Sequence, residues 1–244
     1  MPFLRISMIT LVFSCGLAAQ QPQAVTHAPD GGVRRMLESL TVPATPNAPF
    51  SATVTTEWTT ILVDGSKQTS WNHRLIARDS SGRVFQERRY FMPDGDKVTT
   101  PLNEVDYVDP NRHEIEVCRP QPKVCYERSY REPPATKPMA SGALPGGRGS
   151  VKEESLGHRS IDGVDAEGSR EITTLNAGVD GLEREEPVVK EFWYSERLGL
   201  NVVTKRFDPR SGAQNIILSG ISQSEPDPKL FVVPEGYRIV KMEP

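Results

Sequence analysis

Phe192–Val240 reads FWYSERLGLNVVTKRFDPRSGAQNIILSGISQSEPDPKLFVVPEGYRIV, and this stretch decides the fold class. Apolar-rich segments end one after another in turn signals, with Asp208-Pro209-Arg210-Ser211-Gly212 joining the last two. Pro226-Asp227-Pro228 then breaks the chain before Leu230-Phe231 and a closing Tyr237–Val240. Short β-rich runs separated by Gly, Pro, Asp and Ser are the signature of antiparallel strands. The run predicts a meander whose last strand is Tyr237–Val240, with Phe231 turned inward as a buried plug.

Upstream the same pattern recurs. Asp64-Gly65 suits a two-residue type I′ hairpin turn. Pairing through it sets Trp58 against Trp71, Val54 against Leu75 and Ala52 against Ala77, giving one apolar and one solvated face. Asp79-Ser80-Ser81-Gly82 leads into Val84–Met92, where a bulge at Gly82 would decide whether Phe85 and Phe91, or Val84 and Tyr90, face inward. Further strands are expected at Leu102–Val108, on both arms of Cys118…Cys125, at Leu156–Ile161 and Val164–Leu175 around Asp162-Gly163, and at Val188–Tyr194. About ten strands result, mainly β in class. Residues 131–150, with eight Pro or Gly among twenty, read as a loop or linker. Val33, Met36, Leu37 and Leu40 fall at helical spacing and predict one short N-terminal helix.

Residues 1–19 hold Arg5, an eight-residue apolar core over Ile6–Phe13, and small residues Gly16, Ala18 and Ala19. That order is a secretory signal peptide, too short to span a bilayer. Residues 20–32 follow as a flexible polar lead to a single β-rich domain, 33–244. The chain is therefore expected to be exported. Cys15 sits in a partial lipobox, Val12-Phe13-Ser14-Cys15, so either lipidation at Cys15 or cleavage near Ala18 or Ala19 follows. Without the leader, 28 basic face 32 acidic residues, a net charge of −4 with both signs interspersed. No basic stripe exists to hold nucleic acid. Cys118 and Cys125, one on each arm of a hairpin in an exported chain, are expected to form a disulfide.

The remaining chemistry is sparse. His27, His73, His113 and His158 show no metal-ligand spacing, Asp94-Gly95-Asp96 and Asp162–Gly168 lack calcium-loop spacing, and no Gly-x-Ser-x-Gly is present. No cofactor and no metal are expected, and a hydrolase built on His73 or His113 is the weakest reading.

Leu156-Gly157, Ile161-Asp162-Gly163-Val164, Phe192-Trp193-Tyr194 and Leu230-Phe231-Val232-Val233-Pro234-Glu235-Gly236-Tyr237 resemble the outer-membrane lipoprotein-carrier (LolA/LolB-like) half-barrel class. The resemblance covers residues 150–240 well and residues 50–130 only in strand pattern. It implies a curved antiparallel half-barrel of about eleven strands whose concave face takes a lipid, an acyl chain or a lipoprotein, in the periplasm or at the outer membrane. The chain departs from the class in having one helix where carriers have several. Trp58, Trp71, Leu75 and Phe91 are the residues expected to line an apolar site, with ordinary core packing as the alternative. A second functional class is an envelope interaction or sensor module that holds another protein through sheet edges or residues 131–150.

Overall fold

The first hairpin sets the frame for everything else. Its arms are β1 (Phe50–Ile61), rich in Thr, and β2 (Lys67–Arg78), where polar and apolar residues alternate as a half-buried strand requires. The turn departs from expectation. Leu62 N donates to Ser66 O at 2.8 Å and Gly65 N to Leu62 O at 2.9 Å, so three residues lie between the paired ends. Gly65, at φ 81°, supplies the left-handed position such a loop needs. Asp64 accepts from both Ser66 N and Ser66 Oγ, at 2.9 and 2.6 Å, and fixes the turn. The extra loop residue moves the register by one: Trp58 faces Ser70, Val54 faces Arg74, and Ala52 faces Ile76. A one-residue slip turns a whole strand over. Asn72, Arg74, Ile76 and Arg78 therefore share a face with Ala52 and Val54, while Trp71, Leu75 and Ala77 take the other.

The computed structural model describes residues 40, 42–62, 64–95, 97–132, 138–179 and 183–242. The expected leader 1–19, Cys15, the lead 20–32 and, Leu40 apart, the helix over Val33–Leu40 lie outside the described residues. Beyond β2 run β3 (Val84–Arg89), β6 (Leu102–Asp109), β7 (Glu114–Arg119) and β8 (Val124–Ser129). On the β1 side follow β14 (Gly212–Ser222), β13 (Leu200–Asp208), β12 (Glu186–Ser195), β11 (Val164–Leu175), β10 (Gly149–Ile161) and β9 (Gly142–Ala143). Arg238–Lys241 forms β15, and β4 (Met92–Asp94) with β5 (Lys97–Thr99) makes a separate ribbon. The main sheet has the order β15-β8-β7-β6-β3-β2-β1-β14-β13-β12-β11-β10-β9. Among the described residues its thirteen strands exceed the ten or eleven expected, and the end strands do not pair, so the sheet stays open.

The sheet is strongly curved, as two hydrogen bonds show. Arg78 of β2 donates through Nη2 to Leu198 O, in the β12–β13 turn, at 2.8 Å. Asp162, in the β10–β11 turn, accepts from Ile221 N of β14 at 2.7 Å. Each pair bridges strands three places apart, about 14 Å in a flat sheet. Only a curled sheet brings them within reach. Irregular register at Ser51/Thr53, Arg88/Arg89, Ser155/Gly157 and Trp193/Tyr194 sharpens the twist.

Both faces carry a core. The inner one gathers Phe50, Ala52, Val54, Ile76, Val84, Val108, Val202, Ile216 and Leu218, with Leu40 and Val42 laid across them. On the outer face Ala77, Phe85, Val105, Tyr107, Cys118 and Cys125 are covered by Leu230, Phe231, Val233 and Tyr237. The expectation of one apolar and one solvated face for the first hairpin fails on β2, because the C-terminal segment covers the outer side there as it does over β3 and β6–β8. That segment turns at Pro228–Phe231, where Asp227 Oδ1 accepts from Lys229 N at 2.9 Å. Phe231 is half-buried, with the Arg83 guanidinium 5.2 Å above its ring, so it is a cover for the outer core. The last strand forms as expected, yet β15 runs parallel to β8 at the sheet edge and closes no barrel.

Cys118 faces Cys125 across β7–β8 and the two form the expected disulfide. In the described part of the Pro/Gly-rich stretch, from residue 138 on, lie β9, a 3₁₀ turn at Pro145–Gly147 and the start of β10.

Candidate ligand-binding faces

The β1–β2 register sends two arginines inward, and both bind backbone. Arg78, fully buried, donates from Nε to Ala48 O (2.9 Å), from Nη1 to Pro43 O (2.9 Å) and from Nη2 to Leu198 O (2.8 Å). Its guanidinium also lies 5.0 Å from the centre of the Phe50 ring. Arg74 Nη2 donates to Leu40 O at 3.2 Å, and Gln86 Nε2 reaches the same oxygen at 2.7 Å. Burial pushes both arginines down to about 10, helped at Arg74 by the neighbouring Arg88, which leaves each charged at neutral pH. A cation donating to carbonyls makes stronger hydrogen bonds than a neutral donor. Residues 42–48, with Leu40, are thus fastened across the inner face, and Leu40 and Val42 fill that part of it.

Farther along the same face the chain leaves two aromatics. Val84 and Gln86 face inward and Phe85 outward, with the irregular register falling at Arg88/Arg89 instead of Gly82. Beyond that irregularity Phe91 meets Trp58, ring centres 5.7 Å apart and planes tilted by 51°. Both rings are half-buried. Asn72, only 3% exposed, lies one diagonal step from Trp58 in the ladder. Its Nδ2 donates to Arg89 O, two residues before Phe91.

Trp71 and Leu75 are not with them. Both turn to the outer face; Leu75 packs on the outer core, and Trp71 is 53% exposed. Trp71 Nε1 donates to Glu57 Oε2 at 3.1 Å, and Asn215 Nδ2 donates to Glu57 Oε1 at 2.8 Å. Along the same rung Glu191 lies 3.3 Å from Arg170 and 3.6 Å from Lys205, and accepts from Trp193 Nε1 at 2.8 Å. Burial alone would raise the Glu191 pKa, but the Trp193 hydrogen bond and the two cations hold it below the ordinary carboxylate value. The neighbouring rung, Ile172, Val189, Phe207 and Ala213, floors a shallow cleft of about 490 Å³.

The histidines stay apart. His73 is exposed on the outer face with Nδ1 3.0 Å from Thr55 Oγ1, His113 sits in the β6–β7 turn, and His158 pairs with Asp165 at 3.6 Å on β10–β11. Among the described residues no group of three His, Cys, Asp or Glu could hold a metal ion. Among those residues, too, no helix is long and apolar enough to cross a membrane.

Sequence reasoning missed Arg74, Arg78 and Gln86. The register it used put both arginines on the wet face. The available signal was Arg74-x-Ile76-x-Arg78, an apolar residue flanked at period two by cations that a buried strand must pair.

No family model matches the chain, and no curated protein does. Among solved structures it is similar to an uncharacterized conserved protein from Thermus thermophilus, at 8% identity over 80% of this chain and 91% of that one, with a TM-score of 0.40. It is also similar to the Mycobacterium tuberculosis lipoprotein LppX, at 14% identity, 74% and 89% coverage, and a TM-score of 0.25. An outer-membrane lipoprotein-sorting domain from Vibrio parahaemolyticus matches at 10% identity, 75% and 89% coverage, and a TM-score of 0.17. The likeness to the lipoprotein-carrier class read from the sequence is met again among these structures. At such identities and TM-scores it carries no argument about ligand or partner.

Proposed function

We propose that the chain is an exported, non-enzymatic envelope protein that binds an acyl chain, of a lipid or a lipoprotein, at the Trp58–Phe91 end of its inner face. The observation that carries this is the half-buried aromatic pair, left beyond the segment that Arg74 and Arg78 fasten down. An acyl chain laid against the two rings would gain about 0.8 kcal/mol for each methylene removed from water. The leader read over residues 1–19 supports export, and the dispersed histidines support binding without catalysis.

Native mass spectrometry of protein purified from membranes tests the reading. An acyl adduct that is lost in Trp58→Ala is the expected result. A uniformly ligand-free spectrum of the wild type would count decisively against it.

A second reading, an interaction module for another envelope protein, is favoured by Trp71 and Phe207, 53% and 48% exposed on the outer face. Single surface apolar residues are ordinary, and this reading takes the two exposed aromatics together as a contact surface. A cross-linked partner lost in Phe207→Glu, with no lipid bound, would select it.

A further inference from the structure

Among the described residues, two buried side-chain polar atoms lack a hydrogen-bond partner, and one is Asn72 Oδ1. A buried amide carbonyl without a donor is costly, and native structures seldom leave one unmet. The amide is not free to turn over, because its Nδ2 is committed to Arg89 O. Its Oδ1 is therefore an acceptor fixed in place. It sits one diagonal ladder step from Trp58, and its amide is tied to Arg89 at the end of β3, two residues before Phe91.

We propose that Asn72 determines specificity at this site by accepting a hydrogen bond from the bound amphiphile. The inference rests on the ligand site proposed above and names the class of ligand it takes. A fixed acceptor beside an apolar pair selects an acyl or alkyl compound with a neutral hydroxyl or amide N–H next to its chain. It discriminates against the same chain ending in an ether or ester, which offers no donor. A buried acceptor rejects a ligand that cannot pair it, because binding then leaves the acceptor unmet.

Competition against a fluorescent fatty probe, with 1-dodecanol and dodecyl methyl ether as a matched pair, tests this on the full-length protein. Wild type should bind the alcohol about fivefold more tightly than the ether, the equivalent of one net hydrogen bond. Asn72→Leu should bind both alike, with the ether affinity of wild type; Asn72→Ala serves if the leucine variant melts early. Equal affinities in wild type would overturn the inference and leave the ligand site standing, a trapped water then being the partner of Oδ1. A preference for the alcohol that persists in the folded variant would overturn it as well. If neither compound displaces the probe, the ligand reading itself fails and this inference falls with it.

Discussion

The inner and outer cores lie on one sheet and are sealed in opposite ways. The inner core is closed by Leu40 and residues 42–48, whose carbonyls are bound by the buried side chains of Arg74, Arg78 and Gln86. The outer core is closed by the C-terminal segment through apolar contacts, with the Cys118–Cys125 disulfide beneath and the β15–β8 ladder beside it. A polar clasp fails abruptly when one donor is removed, since several carbonyls lose their partner at once. An apolar cover weakens in proportion to the area lost. The face holding the proposed ligand site is thus the one whose integrity hangs on single side chains.

The sharpest way to break that contrast is Arg78→Met. One buried and two part-buried carbonyls lose their donor, and the expected cost is about 3–5 kcal/mol in urea unfolding. A loss under about 1 kcal/mol would mean that residues 42–48 do not depend on the clasp. Next comes the outer face: replacing Cys118 and Cys125 together by alanine should cost about 2–3 kcal/mol, the entropy of a short closed loop. Phe231→Ala should cost less, about 1–2 kcal/mol, because the ring is half-buried. Were it to match Arg78→Met, the two faces would not differ in kind.

A smaller effect sharpens the comparison through pH. Burial would raise the Asp79 pKa, yet hydrogen bonds from Ser81 and Arg83 prevail and hold it below the ordinary value. A depressed carboxyl stabilises the fold above its unfolded pKa, and that contribution is lost as pH falls through the folded one. Asp79→Asn should therefore melt below wild type at pH 7, with the gap shrinking from about pH 4 downward. A gap that stays constant to pH 2 would show that the charge on Asp79 contributes nothing.

Local signals in the sequence carried most of the strands. Asp162-Gly163 makes the tight turn it promises, with Asp162 at φ 49° and Gly163 at φ 77° joining Ile161 to Val164. Cys118 and Cys125 meet on facing arms because only a short turn separates them. Asp64-Gly65 misled, since the same pair serves a two-residue and a three-residue loop, and only hydrogen bonding between Leu62 and Ser66 separates them. That single residue moved Trp71 and Leu75 to the outer face and brought Arg74, Arg78 and Asn72 onto the inner one. The parallel pairing of β15 with β8 joins residues more than a hundred positions apart, and no local pattern announces it. Glycine and proline in 131–150 hid β9, a two-residue strand too short to leave a period.

The central claim is that an acyl ligand meets Trp58 on the inner face and not Trp71 on the outer. Quenching of tryptophan fluorescence by a brominated acyl chain, a short-range effect, tests it with Trp58→Phe and Trp71→Phe compared against wild type. Quenching should be kept in Trp71→Phe and lost in Trp58→Phe. Loss in Trp71→Phe with retention in Trp58→Phe would place the ligand on the outer face and contradict the account.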